Sequence, residues 1–172
     1  MAIALARLFG IRIIVTCGSD DKCARALEIG ADAAINYKKD DFVEAAKAFT
    51  GGRGVDIVLD MVGGDYLPRN LQCLAEEGRH VSIAVQRGAK AELFIPLIMQ
   101  RRLTLTGSTL RPRSVEFKTM VADEIARTVW PYVEGNRLKP AMDLAFPLAD
   151  AAAAHARMEA GEHVGKIVLT MG

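Results

Sequence analysis

Apolar and polar positions along this chain alternate in two rhythms, one of strands and one of helices. Ile11-Arg12-Ile13-Ile14-Val15-Thr16 is β-branched and almost wholly apolar, the composition of a strand buried on both faces of a parallel sheet. Cys17-Gly18-Ser19 follows, where Gly18 frees the backbone and Ser19 is placed to accept from the first N–H groups of a helix. The helix expected from Asp20 to about Ile29 carries Asp20 and Asp21 in its first turn, complementing the helix dipole, and stops at Gly30. Ala33 to Asn36 starts the next strand, so the stretch reads as a strand–helix–strand unit. Ligands of doubly wound sheets lie at the carboxyl ends of the strands. Gly18-Ser19-Asp20-Asp21-Lys22 is therefore the first candidate site.

Upstream, Met1, Leu5 and Leu8, with Ala2, Ala6 and Phe9, recur at helical spacing before Gly10. This helix has neither a cap nor a preceding strand. The pattern predicts a doubly wound fold entered in the middle of its first helix, lacking the first strand and Gly-rich phosphate loop. Downstream, a solvated turn over Tyr37 to Asp41 leads to a helix over Phe42 to Phe49, and Thr50 to Gly54 is flexible. Val55 to Asp60 reads as a strong buried strand, with Val62-Gly63-Gly64 at its ligand end. A helix from Leu67 to Leu74, a strand from Arg79 to Ala84, a short helix over Pro96 to Gln100 and a strand from Leu103 to Gly107 follow. The alternation predicts an α/β fold with an open, doubly wound parallel sheet, Rossmann-like. Leu103–Gly107, as its last strand, leaves an edge suited to pairing with a second copy in a two-fold homodimer.

From Ser114 the texture changes. One long helix is expected to Glu134, with Phe117, Met120, Val121, Ile125 and Val129 on its apolar face and Gly135-Asn136 as terminator. Pro140 to Phe146 reads as extended, Asp150 opens an Ala-rich helix ending near Gly161, and Val164 to Leu169 forms a closing strand. The expected division is an incomplete dinucleotide-binding domain over 1–135 and a segment over 136–172 returning towards an absent catalytic domain.

With 172 residues, 51% hydrophobic and 25% charged, and a net charge of +1, the composition is that of an ordinary soluble domain. It gives no electrostatic case for nucleic acid or membrane surfaces. No run reaches the roughly 18 apolar residues of a spanning helix, and no signal peptide is apparent, so a cytoplasmic setting is expected. Cys17, Cys23 and Cys73 are too few and scattered for a disulfide framework or a zinc knuckle. No metal site is expected. His80, His155 and His163 are isolated and read as structural or exposed, and no catalytic residue can be named. Taken alone, Ser19 also reads as a plain N-cap, Lys22 as a solvated cation, Tyr37 as a surface turn tyrosine and Gly63-Gly64 as a simple turn.

Four stretches together, GSDDKCARALEIGADAAINYKKDDF, GGRGVDIVLDMVGGDYLPRNLQCLAEEGRHVSI, LTGSTLR and HVGKIVL, resemble the zinc-independent quinone oxidoreductase branch of the medium-chain dehydrogenases/reductases, in its carboxyl-terminal, cofactor-binding half. The resemblance implies NADPH as cofactor and a quinone or conjugated enone as hydride acceptor. It implies that Ser19 and Lys22 meet the 2′-phosphate and Tyr37 the adenine or its phosphate. Gly63, Gly64, Thr109 and Leu110 would flank the nicotinamide ribose and ring, and Lys166 would reach a cofactor phosphate. It also implies dimers built on the 103–107 edge. Without the phosphate loop, the isolated chain is expected to be inactive. The alternative is a truncated nucleotide-binding or interaction module without turnover.

Overall fold

The computed structural model describes residues 1–171; Gly172, which closes the expected 136–172 segment, lies outside them. The chain forms two compact units. One is Lys39–Asp123, and the other combines Met1–Lys38 with the chain from Glu124 onward.

In the second of these, α1 (Ala2–Leu8) precedes β1 (Ile14–Cys17), α2 (Asp20–Ile29) and β2 (Ala33–Asn36). β1 and β2 run parallel, from Ile14 opposite Ala33 to Cys17 opposite Asn36. The Ser19 hydroxyl caps α2 by accepting from the Lys22 N–H at 3.3 Å, and Gly30 ends it in the left-handed region at φ 112°. The strand is shorter than its apolar run. Asp32 accepts the Ile13 N–H on its carboxylate at 2.7 Å, a side chain standing where a ladder bond would be, and Ile11 is exposed. Nor is β1 buried on both faces. Among the described residues it pairs with β2 alone, in a two-stranded sheet, leaving Thr16 exposed and its neighbours half-buried.

α6 (Val115–Thr128) and α7 (Trp130–Glu134) replace the single long helix expected to Glu134. Pro131 has no N–H to continue the ladder and its ring crowds the preceding turn, so the chain breaks at Val129. The unit boundary falls within α6, whose residues from Glu124 onward join α7, β6 (Met142–Pro147), a 3₁₀ turn at Leu148–Asp150, α8 (Ala151–Ala160) and β7 (Lys166–Thr170) in this unit, β6 and β7 being parallel. Arg157 grips the Asp143 carboxylate with Nε at 2.5 Å and Nη2 at 3.0 Å, tying α8 to β6.

The Lys39–Asp123 unit contains α3 (Phe42–Phe49), β3 (Val55–Asp60), α4 (Tyr66–Cys73), β4 (Leu74–Ser82), α5 (Ile95–Arg101) and β5 (Thr104–Gly107). Its sheet has the order β3-β4-β5, all parallel. Leu71, Leu74 and Leu103 form the core, with Val58, Leu67, Ile98 and Leu105 packed around them. β3 is not the fully buried strand its composition predicts. Ile57 and Leu59 are 62% and 56% exposed, because they share one face of the pleat while Val58 and Asp60 take the covered one. β4 begins at Leu74, five residues before the expected Arg79. A bulge absorbs the difference, Val55 facing Leu74 and Ile57 facing Arg79, with Glu77 at φ 60°. Gly54 makes the close approach possible, since a Cβ there would lie 2.7 Å from the backbone of Cys73 to Ala75.

Candidate functional site

At the carboxyl ends of β1 and β2, the turn Cys17-Gly18-Ser19 lies against Tyr37. The Tyr37 N–H donates to the Cys17 carbonyl at 3.1 Å. A Cβ on Gly18 would stand 2.8 Å from Tyr37 Oη, so the phenol can rest on the turn only because residue 18 is glycine. Asn36 is buried; its amide nitrogen donates to Asp20 at 2.6 Å and its amide oxygen accepts the Lys38 N–H at 3.1 Å. This ties the Asp20 carboxylate to the end of β2. The Lys22 ammonium donates to the Gly161 carbonyl at 2.5 Å, at the carbonyl-rich end of α8 where a cation is favoured. Ser19, Lys22 and Tyr37 are thus gathered at one strand end.

Lys22 also lines a cleft of about 290 Å³ with Ile3, Val15, Cys17, Ala26, Ile29, His163, Val164 and Gly165. His163 Nδ1 is buried there without a hydrogen-bond partner among the described residues. Burial pushes the Cys17 thiol up to about 11, with the adjacent Cys23 thiol adding to the effect. Lys166, the next residue along, opens β7 and is exposed, its N–H bonded to the Ala141 carbonyl at 2.8 Å.

The other predicted residues lie in the Lys39–Asp123 unit, at the carboxyl end of its sheet. Gly63 and Gly64, at φ 68° and 55°, are buried beneath residues 85–88. A Cβ on Gly63 would meet the Gly88 carbonyl at 2.8 Å and one on Gly64 the Arg87 carbonyl at 3.0 Å. The immediate reason for both glycines is this meeting of two main chains. Arg87 closes it with a fork onto Asp65, both bonds 3.0 Å. Thr109 and Leu110 are exposed just past β5, each carbonyl accepting from Arg113 at 3.1 Å, from Nε and the backbone N–H respectively.

Asp60, with no role assigned from the sequence, and His80, which read as structural or exposed, underlie this rim. Asp60, 3% exposed, and His80, 1% exposed, face each other with His80 Nε2 3.2 Å from Asp60 Oδ2. Burial lowers the His80 pKa, opposed by the Asp60 charge and hydrogen bond, and keeps the ring neutral. The available signal was an aspartate ending an apolar strand just before a Gly-Gly turn. Among the described residues no group of three or more His, Cys, Asp or Glu is arranged to hold a metal ion. No helix of the described residues is long and apolar enough to cross a membrane.

Parallel strands that present, at their carboxyl ends, a polar turn and capped helix in one unit and a glycine-rich corner in the other are features of dinucleotide-binding α/β domains. Residues 1–127 match the family described as zinc-binding dehydrogenase, and the chain belongs to that family, within the medium-chain dehydrogenases/reductases. It is 32% identical over 168 residues to a 2-haloacrylate reductase of Burkholderia sp, covering 95% of this chain and 49% of that protein. With quinone oxidoreductase 1 of Escherichia coli (strain K12) it is 32% identical over 171 residues, covering 95% and 50%. The quinone oxidoreductase from Thermus thermophilus, solved also as its complex with NADPH, superposes with a TM-score of 0.82 at 29% identity, over 99% of this chain and 53% of that one. The chain spans about half the length of the curated relatives it matches. By name these relatives are a reductase and two quinone oxidoreductases, the last solved with NADPH, and the fold is theirs.

Proposed function

We propose that this chain is the cofactor-binding portion of a zinc-independent, NADPH-dependent oxidoreductase that passes hydride to a quinone or a conjugated carbonyl. The observation that carries it is the gathering of Ser19, Lys22 and Tyr37 at the ends of β1 and β2, where β1 ends without a carboxylate for a 2′-hydroxyl. Lys22 gives one of its three protons to Gly161 and retains two for a phosphate. Ser19 offers its hydroxyl, and the Asp20 carboxylate is held by Asn36 instead of facing the phosphate freely. Lys166 serves a further cofactor phosphate. Gly63, Gly64, Thr109 and Leu110 serve the nicotinamide end, whose dihydropyridine supplies the hydride once bound. The protein binds and orients. A two-fold dimer through the β5 edge belongs to the same proposal.

Calorimetry with NADPH and NADH tests it. Lys22→Ala is expected to weaken NADPH by about 1.5–3 kcal/mol, the value of a charge-assisted contact, and to leave NADH unchanged. Equal loss for both cofactors would remove Lys22 from the 2′-phosphate.

A further inference from the structure

Asp60 and His80 are both buried, titratable side chains of the Lys39–Asp123 unit, and nothing in the binding scheme above uses them. Burying a carboxylate costs several kcal/mol unless its lone pairs are occupied. Here they are. Asp60 Oδ1 accepts the Val62 N–H at 2.7 Å and the Gly63 N–H at 3.2 Å. Oδ2 accepts from His80 at 3.2 Å and again from the Gly63 N–H at 3.3 Å. The Asp60 carbonyl takes the Ile83 N–H at 2.7 Å. One residue therefore pins three things: the exit of β3, the start of the Val62-Gly63-Gly64 turn, and the exit of β4. Immediately beyond these pinned points Met61, Ile83 and Val85 stand exposed. They form an apolar rim at the carboxyl end of a parallel sheet, where a ligand's flat ring finds a surface.

We propose that Asp60 and His80 are positioning residues for the nicotinamide end of the cofactor. The pair holds the Gly63-Gly64 main chain and the rim of Met61, Ile83 and Val85 in the shape the nicotinamide nucleotide packs against, a role that rests on the NADPH assignment above. His80 acts through Asp60 and touches no ligand. An apolar pair of similar volume would fill the same space without fixing the Val62 and Gly63 N–H groups, which is why a hydrogen-bonded pair stands there.

Half-ligands separate this role from a general contribution to folding. Reduced nicotinamide mononucleotide carries only the nicotinamide end, and 2′,5′-ADP only the adenosine end with its 2′-phosphate. In calorimetry, His80→Leu is expected to weaken NADPH and reduced nicotinamide mononucleotide about tenfold, the effect of leaving a buried acceptor unmet. The 2′,5′-ADP affinity is expected to stay within about twofold. His80→Gln, which keeps an N–H for Asp60, restores most of the loss. Thermal melting reports folding of each variant; if His80→Leu does not fold, Asp60→Asn replaces it with the same expected pattern. Unchanged nicotinamide mononucleotide binding in a folded variant, uniform loss for all three probes, or Gln performing no better than Leu would overturn the positioning role while leaving the NADPH assignment standing. Failure of the unmutated chain to bind NADPH at all would overturn the assignment, and the positioning role with it.

Discussion

Cys17 and Cys73 show how much a residue's surroundings change its chemistry. Both thiols are pushed up to about 11, Cys17 by burial and by the neighbouring Cys23, Cys73 by burial first. A raised thiol pKa keeps the proton on at neutral pH, and the thiolate is the reactive form. From thiolate fraction, iodoacetamide is therefore expected to label both at pH 7.5 about three hundredfold more slowly than an exposed thiol of pKa about 8.5. The rate should climb about tenfold per pH unit towards pH 11, followed by mass spectrometry of the peptides. A plateau near pH 9 would contradict the burial account. At this scale legibility depends on sequence distance. The Ser19 cap could be read because its acceptor and donor are three residues apart. Asp60 and His80 could not, because they are 20 residues apart and meet only through the register that sets Val58 beside His80 and Asp60 beside Ser82.

At the scale of elements, α2, β2, α3 and β3 occupy the spans that periodicity and terminator residues predict. The departures have local causes that an apolar stripe conceals. Pro131 divides α6 from α7 although the hydrophobic face continues across it. The bulge opposite Val55 lets β4 start at Leu74, before the strand expected from Arg79. Among the described residues β5 has β4 on one side and no strand on the other, with Thr104 and Thr106 exposed and Leu105 half-buried. For the proposed dimer through this edge, sedimentation is expected to give a dimer for the unmutated chain. Thr104→Pro, which removes a backbone donor from the edge, should shift it towards monomer. A monodisperse monomer without the substitution would refute the edge pairing.

For the whole molecule, the order of strands and helices was legible from periodicity. Texture changes at Ser114, yet the compact units divide after Lys38 and after Asp123. Grouping is decided by contacts between distant parts of the chain. Lys22 reaches Gly161, 139 residues away, and the Phe9 ring meets Tyr132 edge-on at 6.1 Å between centroids. That arrangement has a consequence during synthesis. At about 5–20 residues per second, roughly 7 to 28 seconds separate Lys22 from its acceptor on the ribosome. Lys39–Asp123 meanwhile emerges with its whole three-stranded sheet. A chain stopped at Asp123 is therefore expected to resist trypsin within the β3-β4-β5 sheet and to be cut readily at Arg12, Lys22 and Arg25. Equal protection of Arg25 in the stopped and full-length chains would show that α2 is held without the later residues. The β1-α2-β2 unit leaves the ribosome before the Lys39–Asp123 unit and is finished after it, and in the interval it stays open to chaperones and proteases.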